Sequence, residues 1–329
     1  MYKVVSLFCG CGGSDLGIKG GFNYLGKRYK KHPITIVSAI DIDKKAVLTY
    51  NKNFKEQAKV IDIKSQKYHK NFADIVIGGF PCQSFSSVNP NKNPEDDRGL
   101  LFYQMARVIC EINPKIFIAE NVKGFLLLHK SRYFLKFKKI MEKSGYDIFH
   151  TILKATDYGV PQKRERLFII GIRKDLNKSF EFPKASHGEG KGQIRVKVLK
   201  DVIDNLIPDD PKYYFSEKAV QGVKKAKNNM KRALAQDLNQ PCLTISSHLA
   251  KVSLNSRDPV LLVKPSKELY RRFTPREAAR IQSFPDKFIF SGSEADAYRQ
   301  IGNAIPPIVM WNIMNALIKQ KILPPTEIQ

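Results

Sequence analysis

The first half of the chain alternates short, nearly continuous apolar runs with stretches of helical spacing. Residues 3–8, 34–40, 59–63, 73–78, 116–119, 150–155 and 167–172 are apolar runs of strand length. Between them, residues 15–20, 44–53, 101–112 and 133–144 place apolar side chains at helical intervals, and the third of these stops at Asn113-Pro114. Strands that are apolar on both faces and separated by helices predict an α/β fold, a doubly wound, mostly parallel sheet. Near residue 186 the pattern changes. Gly188-Glu-Gly-Lys-Gly192 predicts a turn-rich linker, and regular alternation fades until helical periodicity returns over 275–283 and 307–320. The expected organisation is a large domain over 1–185, a smaller inserted domain over 186–275, and a segment over 276–329 that returns to the large domain.

Charge narrows the choice of partner. The chain carries 56 Lys and Arg against 31 Asp and Glu, a formal net charge of +25. Such a surplus calls for a polyanion, either nucleic acid or an anionic membrane. No apolar run in the sequence reads as long enough for a bilayer span, and the amino terminus lacks the basic-then-apolar signal pattern, so nucleic acid and a cytoplasmic location are expected. The five cysteines (9, 11, 82, 110 and 242) are odd in number and scattered, which argues against a disulfide framework. Cys9-Gly-Cys11 has no second Cys or His pair at ligand spacing, so no metal is expected, and both residues read as small fillers of a tight loop.

Four short segments carry candidate chemistry. Phe8-Cys-Gly-Cys-Gly-Gly13 follows a strand and opens a helix, so its backbone can approach a ligand closely. Asp41, after the next strand, is placed to bind ribose hydroxyls, and Asp62, ending the third, to accept from an adenine amino group. Ile77-Gly-Gly-Phe-Pro-Cys-Gln-Ser-Phe-Ser86 delivers the Cys82 thiol at the carboxyl end of a buried strand. Ala119-Glu-Asn-Val-Lys-Gly124 sets a carboxylate, Glu120, at the end of the neighbouring strand. In Gln162-Lys-Arg-Glu-Arg166 the alternation of Arg164 and Arg166 points both to one face. Each has an ordinary structural explanation when taken alone: a core cysteine, a helix-capping acid, a surface ladder, any nucleotide-fold glycine loop.

Together, in this order, the motifs resemble the cytosine-C5 DNA methyltransferases across nearly the whole chain. The resemblance rests on Phe8–Gly13 as cofactor loop, Pro81-Cys82-Gln83, Glu120-Asn121-Val122 and Gln162-Lys-Arg-Glu-Arg166. It extends to the block Arg271-Arg-Phe-Thr-Pro-Arg-Glu-Ala-Ala-Arg-Ile-Gln-Ser-Phe-Pro285 and to Gly302-Asn303-Ala304. Ile42 stands where the family often has an aromatic residue, and Cys9 and Cys11 stand where it has other small residues.

The resemblance implies a Rossmann-like, S-adenosylmethionine-dependent methyltransferase with a target-recognition domain over 186–275 and S-adenosylhomocysteine as product. It implies Cys82, Glu120, Arg164 and Arg166 as catalytic residues. Cys82 is the thiolate that adds to cytosine C6, and Glu120 contacts N3 and the exocyclic amine. Arg166 holds O2 and orients Glu120, while Arg164 holds a phosphate or supports the loop. Phe8, Gly10, Gly12, Gly13, Asp41, Ile42, Asp62, Ile63, Pro81, Leu101 and Asn303 are implied around the cofactor. Ser84, Arg98, Lys224, Lys225 and Thr244 are implied on DNA. The basic stretch 218–232, with six basic residues and no acid, suits phosphates but equally a solvated helix face. The target atom is inaccessible in a stacked duplex, so the base must flip out, and residues 84–99 read as a lid. Expected partners are duplex DNA and a separately acting restriction endonuclease, with the enzyme a monomer. A tRNA cytosine-C5 methyltransferase, a catalytically silent DNA-binding regulator and a dinucleotide oxidoreductase are the alternative readings.

Overall fold

The computed structural model describes residues 1–81, 101–127, 131–203, 210–226, 235–251 and 260–324, with the backbone alone at 222–226, 251 and 265. Cys82, Ser84 and Arg98, with the expected lid over 84–99, lie outside the described residues. So do the side chains of Lys224 and Lys225.

Strand β1 (Tyr2–Leu7) leads through the glycine loop into α1 (Gly13–Lys19). A hairpin of β2 (Phe22–Tyr24) and β3 (Lys27–Tyr29) precedes β4 (Ile34–Asp41), α2 (Lys44–Asn53) and β5 (Lys59–Val60). Then come β6 (Ile75–Gly79), α3 (Leu101–Ile112), β7 (Ile116–Val122), α4 (Lys123–Leu127), α5 (Arg132–Lys143), β8 (Tyr146–Lys154), β9 (Gln162–Lys163) and β10 (Glu165–Arg173). Beyond the linker lie α6 (Glu217–Ala226), β11 (Cys242–Leu243), β12 (Leu261–Lys264), β13 (Leu269–Arg271), α7 (Pro275–Ile281), α8 (Glu294–Asn303) and α9 (Pro307–Lys319). Among the described residues, seven strands form the central sheet in the order β5-β4-β1-β6-β7-β10-β8. The first five are parallel, and β10 runs antiparallel to both of its neighbours.

Alternation along each strand divides the apolar residues between two cores. Val4, Ile75, Ile77, Ile116, Ile118 and Ile170 face α1, α2 and α9. Val5, Val76, Phe117, Ala119, Leu167 and Ile169 face α3 and α5. Burial on both faces is what makes these strands read as continuous apolar runs. Helix α1 lies against α9 so closely that a Cβ on Gly17 would sit 2.4 Å from the Pro307 carbonyl oxygen.

Several elements differ from those that the sequence predicts. β7 runs on through Glu120-Asn121-Val122, because β10 lies beside it and pairs Phe168 with Glu120 and Arg166 with Val122. The third predicted strand ends early: Ile61 N still donates to Asp41 O, then the chain turns as Ser65 N donates to Asp62 O. The unassigned stretch after α1 is the β2–β3 hairpin, where Phe22 stacks on Tyr29 at 4.9 Å and Trp311 meets Tyr29 edge-on at 5.2 Å. Helix α8 has no counterpart among the predicted elements, although Ser293 and Asp296 form a capping box at its start.

The segment 186–275 is tied to the first core. The two-residue strand β11 lies parallel to β9 in a separate two-stranded sheet, and Cys242, Ile245 and Leu249 join that core. Helix α7 is seated by the buried Arg271 guanidinium, which donates to both Glu277 carboxylate oxygens at 2.8 and 2.7 Å. The stretch Glu294–Lys319 has the length and composition of a bilayer-crossing helix, which the sequence reading did not find, but 67% of its most apolar window is buried inside the protein. It comprises α8 and α9, separated by Ala304–Pro306.

Candidate active site

The cleft forms where open α/β sheets place their ligands, beyond the carboxyl ends of the strands. It measures about 1240 Å³. At one end lies the glycine loop. Cys9 N donates to Ile40 O and Gly12 N to Cys9 O, which folds the loop back between β1 and β4. Gly10 has φ +54°, and a Cβ there would meet nothing within 4 Å. Its N–H donates to Asp41 Oδ2 at 2.8 Å, while Asp41 Oδ1 accepts from Asp43 N at 2.8 Å. Burial pushes the Asp41 carboxyl above its ordinary value, and these two donors pull it back. Ile42 is exposed to 69% on the cleft wall.

Beneath the loop, Asp15 is fully buried and accepts from Ser6 Oγ, Ser14 Oγ and Tyr50 Oη at 2.9, 3.0 and 3.0 Å. Burial outweighs these donors and pushes its carboxyl up to about 6. Burial also pushes the Cys11 thiol up to about 12 and raises that of Cys9, so both are inert fillers of the loop.

At the other end, β6 and β7 bring Gly79 beside Glu120. A Cβ on Gly79 would lie 2.9 Å from Glu120 Oε2, so the glycine makes room for the carboxylate. Asn121 Nδ2 donates to Phe80 O at 3.0 Å and fixes the backbone just before Pro81. Arg166 Nε lies 3.2 Å from Glu120 Oε1, and the two side chains are 18% and 12% exposed. Burial raises the Glu120 carboxyl, while Arg166 and then Arg164 oppose the rise.

Arg164 does a different job from Arg166. It is 3% exposed and donates to three backbone carbonyls: Ile245 at 3.3 Å, Gly302 at 3.1 Å and Ala304 at 3.2 Å. These bonds join the backbone at Ile245 to that at Gly302 and Ala304. Burial, with the like charge of Arg166, lowers its pKa from the ordinary arginine value.

Phe8, Gly10, Gly13, Asp41, Ile42, Asp62, Ile63, Pro81, Leu101, Glu120, Arg164, Arg166 and Asn303 all line this one cleft. Gly12 does not. Its α-carbon faces backwards, where a Cβ would lie 2.3 Å from the Phe54 ring. Thr244 lies in an adjoining groove of about 560 Å³, and its Oγ1 donates to Lys163 O at 2.8 Å. Sequence reasoning missed Asp43, His248, Arg299 and Gln300 in the cleft wall. The signal for the last two was their position just before Gly302-Asn303. Arg299 Nη2 reaches Asp43 Oδ2 at 3.2 Å and joins α8 to the cap of α2.

The family model for C-5 cytosine-specific DNA methylases matches residues 2–319. The chain is 34% identical over 338 residues to the type II methyltransferase M.NgoPII of Neisseria gonorrhoeae, covering 96% of this chain and 95% of that protein. It is 36% identical over 327 residues to the type II methyltransferase M.FnuDI of Fusobacterium nucleatum, covering 92% and 90%. Its fold is similar to that of the S. pombe Dnmt2 methyltransferase, with a TM-score of 0.75 at 22% identity over 98% of this chain and 100% of that one. The chain therefore belongs to the C-5 cytosine-specific DNA methylase family and is a DNA cytosine-C5 methyltransferase.

Proposed function

We propose that the cleft holds S-adenosylmethionine at its glycine-loop end and a flipped-out cytosine at its Glu120 end, and that the enzyme methylates C5 within one specific duplex sequence. The observation that carries this reading is the largely buried Glu120–Arg166 pair in the same cleft as the glycine loop and Asp41. The residues fit the cofactor. Gly10 leaves an open cradle, Asp41 is a half-buried carboxylate suited to hydroxyl donors, and Ile42 offers an apolar face for a purine. Phe8, Gly13, Asp62, Ile63, Pro81, Leu101 and Asn303 complete its surroundings, with Gly12 shaping the loop from behind.

When bound, S-adenosylmethionine would supply an electrophilic methyl group on a sulfonium, with S-adenosylhomocysteine as the product. The chain's own residues make C5 able to accept it. Cys82, which follows Pro81, adds as a thiolate to C6 and gives C5 enamine character. Glu120, raised by burial, holds a proton at N3 and accepts from the exocyclic amine. Arg166 donates to O2 and keeps Glu120 oriented. Once C5 carries the methyl group, water takes its proton, and Cys82 leaves by β-elimination.

The partner is duplex DNA, met by the positive surface, with base choice residing in segment 186–275 around Thr244 and phosphate contacts at Ser84, Arg98, Lys224 and Lys225. The setting is a bacterial cytoplasmic restriction–modification system with a separately acting endonuclease. The test uses duplex DNA with 5-fluorocytosine at the target. Wild type forms a denaturation-resistant adduct on Cys82, Cys82→Ser forms none, and Glu120→Gln slows single-turnover transfer by about 10²–10⁴. An adduct on another cysteine, or an unchanged rate in Glu120→Gln, overturns the reading.

A further inference from the structure

We infer that the groove beside the cleft, built around Lys154, Lys163 and Lys123, holds phosphodiesters of the target strand next to the flipped cytosine. This rests on the proposed placement of that cytosine against Glu120. The groove measures about 560 Å³ and shares Val122 and Arg166 with the cleft. Three separate parts of the chain supply its cations: Lys154 at the end of β8, Lys163 in β9 and Lys123 just after β7. No motif in the sequence points to Lys154. The sheet brings it here by pairing it with Glu165 across β8 and β10.

Charge decides the class of ligand. Among the described residues, the groove is lined by Lys123, Lys154, Lys163 and Arg166 against one carboxylate, Glu165. Lys123 Nζ lies 3.1 Å from Glu165 Oε2, so that acid is already neutralised. Lys154 and Lys163 are exposed, and an exposed ammonium meets phosphate as a mobile point charge. Arg166 borders both spaces, and its Nε faces Glu120. A nucleotide whose base edge sits against Glu120 therefore has its backbone beside Arg166, at the mouth of the groove. Two lysines there pin the strand while the base is out of the stack. They are positioning residues and touch none of the reacting atoms.

The experiment measures binding of the full chain to duplex DNA over a salt series, with native phosphates or with neutral methylphosphonates flanking the target cytosine. Lys154→Ala and Lys163→Ala should each bind the native duplex roughly tenfold more weakly, in line with loss of one charged hydrogen bond. Each should also lower the log-affinity versus log-salt slope by about one unit. On the methylphosphonate duplex the two variants should bind like wild type, because the contact is already gone. Lys154→Arg should restore the slope. If both alanine variants bind the native duplex with unchanged affinity and slope, or lose as much on the methylphosphonate duplex, the inference is overturned. The 5-fluorocytosine adduct separates the two levels. Wild type that forms no adduct refutes the cleft reading, whereas a normal adduct with unaffected lysine variants refutes the groove alone.

Discussion

Replacing Arg166 with Met tests whether the Glu120 carboxylate depends on its partner. The side chains lie 3.2 Å apart at 18% and 12% exposure, so water screens them little. Removing one member of a buried pair costs about 3–5 kcal/mol, because the other charge is left uncompensated. Arg164 also opposes the burial-driven rise at Glu120 and remains in the variant, so the low end, about 3 kcal/mol, is expected. The loss must depend on pH. Without Arg166 the folded-state pKa of Glu120 rises further above its unfolded value. A carboxyl raised in this way contributes stability that is present at low pH and lost as pH rises through the folded pKa. Urea unfolding should therefore show a larger deficit at pH 8 than at pH 5.5. Adding Glu120→Gln to the variant should recover most of the deficit at pH 8, since no buried charge then remains at that position. Equal losses at the two pH values, or no recovery in the double variant, would refute the account.

Three further outcomes are expected. Gly17→Ala should destabilise the protein by about 1–3 kcal/mol despite alanine's better helix propensity, because its methyl group meets the Pro307 carbonyl and Met310 Cβ at 2.4 and 2.6 Å; a higher melting temperature would contradict this. Asp15→Asn should flatten the stability profile between pH 4 and 6.5. Wild type loses roughly 3 kcal/mol there as the buried carboxyl, raised from 3.8 to about 6, is forced to ionise, and parallel profiles would rule this out. Gly10→Ala should lower the stability of the cofactor-free protein by only about 1–2 kcal/mol through its φ of +54°. The same methyl group enters the cleft, so calorimetric titration should show clearly weaker S-adenosylmethionine binding, and unchanged affinity would remove Gly10 from the cradle.

The sequence by itself determined the layers of the fold and the identity of most candidate site residues. Apolar runs at strand length, helical spacing between them and a glycine loop after the first strand are local patterns, and local sterics and burial act on them directly. That is why α2 and α3 occupy the residues that their spacing predicts. Pairing between distant segments is not written in any local period. Only the tertiary structure decided that β10 runs antiparallel beside β7, which carries Arg166 to Glu120 and lengthens β7 past the carboxylate. Only the tertiary structure assigned Arg164 to three backbone carbonyls, turned Gly12 towards Phe54 and opened space for Glu120 at Gly79. The same holds for Arg299 against Asp43 and for Lys154 in the groove. Each follows from strand register and close packing, where one residue's environment is built by residues far along the chain.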